Sequence, residues 1–304
     1  RRITNPTLNA KYKKESVGTS MLLKNSGFEG RVYANKNDDL NKDSDSNLDT
    51  FLKTQTLGSD FKYSGDILFI GKSIVGINLE NRTAEATNSG SHDENLYSLY
   101  GMKQLNFDRL YYNFGLRANS HSKFGESINF EAGMSYKTDD FKSSIKITQS
   151  SKTPTFKQRY YENTTVKGNP DLKMESTTNY QLSLSSAITE SLNGNLNLFY
   201  SKIDDAISGS YDINGIYIYE NVTSSTRKGC EVSLDLKINS IFKIDASYLY
   251  LLFKNDDTGL YLPAKPKHKI QSDIYAVYNN FKANIGGYYV SDSFNNSSNT
   301  EVLQ

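Results

Sequence analysis

A single cysteine, Cys230, in 304 residues rules out an internal disulfide framework. Tryptophan is absent and proline numbers five, against 22 tyrosines and 15 phenylalanines. No apolar run approaches the ~20 residues that a membrane-spanning helix needs. A mean hydropathy of −0.60 is too polar for a bundle of such helices. The formal net charge of +1 gives no reason to expect nucleic acid as a partner. The opening Arg1-Arg2-Ile3-Thr4-Asn5-Pro6 lacks the apolar segment of a secretory leader. Either a leader was removed or the sequence starts partway through a longer protein, and the second is the expectation. No nucleophile elbow, P-loop or dinucleotide fingerprint occurs where a strand would feed a helix, so no enzymatic activity is expected.

What the chain does have is a period of two. Over 128–137, Ile128, Phe130, Ala132, Met134 and Tyr136 alternate with Asn129, Glu131, Gly133, Ser135 and Lys137. Over 231–238, Val232, Leu234, Leu236 and Ile238 alternate with Glu231, Ser233, Asp235 and Lys237. One apolar and one polar face is the pattern of a strand, and no capped amphipathic helix interrupts it. About fourteen strands follow, near 18–25, 28–35, 54–64, 73–84, 94–104, 109–120, 127–137, 141–151, 177–188, 193–206, 227–238, 242–253, 267–278 and 281–291.

The connections alternate between short and long. Tight turns are expected at Ser26-Gly27, Gly71-Lys72, Asn106–Asp108, Thr138–Asp140, Glu190–Leu192, Asn239–Ile241 and Asn279-Asn280. Long links fall between them, near 36–53, 85–93, 121–126, 152–176, 207–226 and 254–266. Outer-membrane barrels carry this asymmetry, with tight turns at the periplasmic end and long loops outside. A soluble sandwich has shorter strands and no reason to alternate its connections so regularly. The expected fold is all-β, a transmembrane antiparallel up-and-down barrel with its apolar face to lipid and its interior wet or plugged. On that face Tyr112, Phe114, Tyr136, Tyr200, Tyr248 and Tyr250 should touch lipid, and Arg227 and Glu231 should face the lumen.

Three segments resemble the TonB-dependent receptor family. The first is Lys152-Thr153-Pro154-Thr155-Phe156, followed by Gly168-Asn169-Pro170-Asp171-Leu172-Lys173-Met174-Glu175. It is similar to the family's "P-T-F…G-N-P-x-L-x-P-E" stretch, except for Met174 where proline is usual. The second is Asn221-Val222 leading to Gly229-Cys230-Glu231; the third is Leu262-Pro263-Ala264-Lys265-Pro266-Lys267-His268. The resemblance covers about 150–290. It implies a 22-stranded barrel around an N-terminal plug, so residues 1–304 would be one partial barrel domain, with about fourteen strands and no plug. It also implies an outer-membrane receptor that takes up a siderophore, cobalamin or haem complex and couples to an inner-membrane energy protein through the plug. The other reading is a passive, porin-like or structural barrel, which needs no plug.

The residues themselves nominate a capture loop. In the link 152–176, Arg159, Tyr160, Tyr161, Asn163 and Lys167 place aromatics beside cations, which suits a planar or anionic ligand such as a metal chelate. A loop that merely shields the barrel mouth is the competing reading. Tyr217, with Tyr211 and Tyr219, is the next candidate. Segment 156–168 has no histidine, which weighs against haem. No cofactor is expected, apart from calcium at Asp43, Asp45 and Asp49, which alternate with Asn47 in an acidic link. Leu48 and Thr54 stand where an EF-hand needs Gly and Glu, so this is no EF-hand. A solvated acidic loop is the plainer reading. The three histidines, His92, His121 and His268, sit in or beside different links, as solvated loop histidines would.

Overall fold

A computed structural model describes residues 9–45, 48–66, 71–163 and 165–303. Its long strands open with β1 (Ala10–Asn25), β2 (Phe28–Asp43), β3 (Leu48–Gly65) and β4 (Ser73–Ala86). They continue with β5 (Gly90–Phe107), β6 (Leu110–His121), β7 (Gly125–Lys137) and β8 (Phe141–Lys152). A link then holds one helical turn, α1 (Phe156–Tyr160), and a two-residue strand, β9 (Val166–Lys167). After it come β10 (Glu175–Thr189), β11 (Leu192–Tyr211), β12 (Tyr217–Lys237), β13 (Phe242–Asn255), β14 (His268–Tyr278) and β15 (Phe281–Val290). A small ribbon, β16 (Ser293–Phe294) with β17 (Val302–Leu303), closes the described chain.

The fourteen long strands pair in sequence order, each antiparallel to the next, and β9 adds in parallel to β12. The expected fourteen strands and their order are therefore present. The register fixes two faces. Leu198 stands opposite Leu182 and Cys230, and Phe130 opposite Leu116, on an outer face. Phe114, Tyr136, Tyr200 and Tyr248 lie exposed on that outer face, as the alternation requires. On the other face, over which the link 153–174 folds, Asn78 faces Ser98, Asn179 faces Ser201, and Ser201 faces Arg227. This inner face is polar and cross-linked: Arg117 donates to Asn78 and Ser98, and Tyr100 donates to Asp60.

Large rings lie over glycines on neighbouring strands. Tyr33 covers Gly58, Tyr100 covers Gly76 and Tyr217 covers Gly209, where a Cβ would collide with the ring. Such pairs protect a bare backbone in a curved sheet and help to fix its register.

Several expected long links are strand. Residues 36–43 and 48–53 continue β2 and β3, leaving a connection of residues 44–47, and β4 and β5 meet across 87–89. A barrel strand crosses lipid in about 9–11 residues. Beyond that, no face has to meet lipid, so strict alternation disappears from the sequence while the hydrogen-bond ladder continues. Lys36 to Asp39 are all charged or polar, yet pair residue for residue with Leu52 to Gln55.

Candidate functional site

The site is built on the link between β8 and β10, which lies across the inner face at the long-link end. Its first turn, α1, starts with a capping box: Thr155 accepts from the Gln158 backbone, and Gln158 reaches back to the Thr155 N–H. The box satisfies two N–H groups that a helix start leaves open. This single turn is too short to count against the expectation of no capped amphipathic helix. The signal was present as Thr155-x-x-Gln158, but one turn is too short to show a period.

Arg159, Tyr160 and Tyr161 are buried, with Arg159 only 1% exposed. They point into the wall and leave no face for a ligand, contrary to the expected exposed capture loop. Arg159 forms an ion pair with Glu94 on β5, itself 4% exposed. Its guanidinium lies 4.8–5.0 Å from the rings of Phe124, Phe156 and Tyr160. The ring of Tyr160 stacks on His92 at 3.5 Å and 4°. His121 lies with Nε2 3.5 Å from Glu94 and is 4% exposed. The expectation of solvated histidines is therefore corrected for His121, which is buried, and for His92, which is covered by a ring. Below them Tyr160 and Tyr161 pack on Leu52, Ala84 and Ala86, with Phe156 and Val166 at the edge.

The link then turns back. Asn163 accepts from the N–H groups of Thr165 and Val166 at 2.9 and 2.8 Å, so its side chain builds the turn. β9 runs along the outer end of β12, with Val166 beside Tyr217 and Lys167 beside Ile218. Lys167 is exposed. Tyr217 packs edge-on against Tyr211 at 5.1 Å and Tyr219 at 5.3 Å. The link is fastened here too: Asn169 donates to the Tyr219 carbonyl at 2.9 Å, and Asn221 accepts from the Lys173 N–H at 2.7 Å. The structure thus brings Lys167 and Tyr217, from two separate links, to one stretch of rim, but on opposite faces of the β9–β12 pair: Tyr217 shares a face with Val166, and Lys167 with Ile218. A parallel β9–β12 pair leaves no sequence signal over two residues.

Arg227 and Glu231 stand on the inner face with Gly229, opposite in parity to Val232 and Leu234. Arg227 donates to Ser201 and Asn179 at 3.0–3.3 Å, beside a cavity of about 490 Å³. Among the described residues it forms no ion pair with Glu231. The acidic residues 43–49 do not converge. Asp43 pairs with Leu48 and Asp49 with Lys42, which puts the two carboxylates on opposite faces of the hairpin. Asp45 sits in the turn and accepts from Asn9 at 2.7 Å. Asn47 lies outside the described residues. Among the described residues no three acidic, histidine or cysteine side chains are grouped to hold a metal.

The link 256–267 closes the rim above β13. Leu262 packs on Ile203, Ala206 and Val222, and the ammonium of Lys267 lies 4.0 Å from the Tyr261 ring. The hydrogen bond from Lys267 holds the Tyr261 phenol below its ordinary range.

Residues 4–303 match the family described as TonB dependent receptor-like, beta-barrel. The chain belongs to this family. The receptor barrel is 24% identical over 213 residues to a vitamin B12 transporter, BtuB, of Photobacterium profundum, covering 68% of this chain and 34% of that one. Its fold matches the siderophore receptor PirA of Acinetobacter baumannii with a TM-score of 0.75 at 16% identity, over 95% of this chain and 51% of that one. It also matches a ferric enterobactin receptor, PfeA, of Pseudomonas aeruginosa, with a TM-score of 0.77 at 15% identity, over 97% and 52%. The chain spans about half the length of these structures and about a third of the curated relative. Membership places the receptor barrel in the bacterial outer membrane, with its apolar outer face toward lipid.

Proposed function

We propose that the receptor barrel is the wall and outer rim of an active transporter that captures a scarce metal chelate or vitamin from outside the cell. The observation that supports this most is the link 153–174, folded across a polar inner face and fastened to β5 on one side and β12 on the other. Tyr217, Tyr211 and Tyr219 on one face of the β9–β12 pair, with exposed Lys167 on the other, form the capture rim in this reading: a ring cluster and a cation at one edge suit a planar, anionic ligand. Arg227 and Glu231 would face a plug domain in the lumen, through which an inner-membrane energy protein acts. The relatives named for vitamin B12, siderophores and enterobactin make cyanocobalamin and ferric enterobactin the first probes.

The test uses the full-length receptor in outer-membrane vesicles, with Lys167 and Tyr217 both changed to Ala. Binding of whichever probe the wild type takes should weaken by roughly tenfold or more, as losing one stacked ring and one charged contact implies. Wild-type affinity and uptake in a correctly inserted double variant would end this assignment.

A further inference from the structure

We propose that the buried Glu94–Arg159 pair is a positioning device for capture: it pins the link to the wall and thereby sets where Lys167 stands on the rim. The inference rests on the capture surface assigned above. Neither residue reaches that surface, because both are more than nine-tenths buried.

The pair is the electrostatic anchor of the link on the β5 side. Arg159 sits among three rings that offer no carboxylate, so Glu94 is its counter-charge. Removing one partner of such a pair leaves the other charge buried and uncompensated, which is far costlier than losing a surface pair.

The anchor is mechanically close to Lys167. The link folds back so tightly that a Cβ on Gly168 would lie 2.7–2.8 Å from the backbone of Arg159 and Tyr160. Two hydrogen bonds clamp the fold: Gly168 N–H to the Tyr161 carbonyl at 2.9 Å, and Asn169 N–H to the Gln158 carbonyl at 2.8 Å. Arg159 and the residue after Lys167 are therefore in direct backbone contact. Interiors packed this closely transmit displacement, so a shift of the Arg159 backbone is passed on to β9. His92, stacked on Tyr160, and Ser89, which donates to the Tyr160 carbonyl at 3.2 Å, hold the same end without supplying charge.

The experiment compares full-length wild type with Glu94→Gln, Glu94→Asp and a buried control on the same strand, Ser98→Ala. One readout needs no ligand: amide exchange across 156–169, the stretch that carries Lys167. The other is affinity for cyanocobalamin and ferric enterobactin. In Glu94→Gln, exchange across the link should rise by at least roughly tenfold. Affinity for the bound probe should fall by a similar factor, with Glu94→Asp between wild type and Glu94→Gln, and Ser98→Ala like wild type. Unchanged exchange in Glu94→Gln would overturn the anchoring claim. A loosened link with unchanged affinity would overturn the positioning claim. Should wild type bind neither probe, the capture reading fails by itself, and exchange still decides whether Glu94 pins the stretch that carries Lys167.

Discussion

Among the described glycines, Gly229 makes the tightest backbone approach. A Cβ there would run into the Tyr250 carbonyl oxygen and come within 2.9 Å of the Phe199 ring. A ring can rotate away, but the Tyr250 carbonyl belongs to the neighbouring strand β13 and cannot move without opening the ladder. Gly229→Ala in the full-length protein should therefore cost about 1–3 kcal/mol, the usual range for overpacking. The readout is the temperature at which the folded band in a semi-native gel converts to the unfolded one, and an unchanged temperature would refute the clash. In the sequence Gly229 stands only as part of Gly229-Cys230-Glu231; the contacts supply its physical reason, a ladder with no room for a side chain. The sequence offers nothing comparable for Arg159. A charged residue among tyrosines reads as an exposed recognition patch until its carboxylate, 65 positions earlier in the chain on β5, is in view.

Strand existence was legible wherever one face meets lipid, because alternation persists there. It faded where β2, β3, β11 and β12 rise past the membrane: β11 and β12 have 20 and 21 residues, roughly ten more than a crossing requires. The expected link 207–226 is accordingly a projecting hairpin whose connection is only residues 212–216. In α1 the sequence cue was local chemistry and not period. Thr155→Ala removes the cap and should cost the turn about 1 kcal/mol. Because one turn has little stability of its own, that loss should appear as faster protease cleavage within 153–174 while the barrel stays intact. Cleavage at the wild-type rate would show that tertiary contacts alone hold the turn.

The two faces of the whole wall make opposite demands on the same substitution. Leu198 and Asn197 are adjacent on β11, the first facing out beside Leu182 and Cys230, the second facing in beside Ser183 and Glu231. Leu198→Arg should cost ~2–4 kcal/mol of insertion stability at mid-membrane. Asn197→Arg, next to Glu231 on the polar face, should cost much less. The check is the folded fraction recovered from outer membranes, and equal losses in both variants would contradict the assignment of faces. The order of the fourteen long strands has a further consequence, for the time course of assembly. Among the long strands each pairs only with the next in sequence, so most contacts close short loops and each hairpin can form without waiting for a distant one, as in a linear array of repeats. The link 153–174 is the exception, since it needs β5 and β12 both in place before Arg159 and Asn169 have anything to hold. Its docking therefore follows the pairing of β5 through β12, and a receptor trapped before it should already resist extraction from the bilayer while its mouth still stands open.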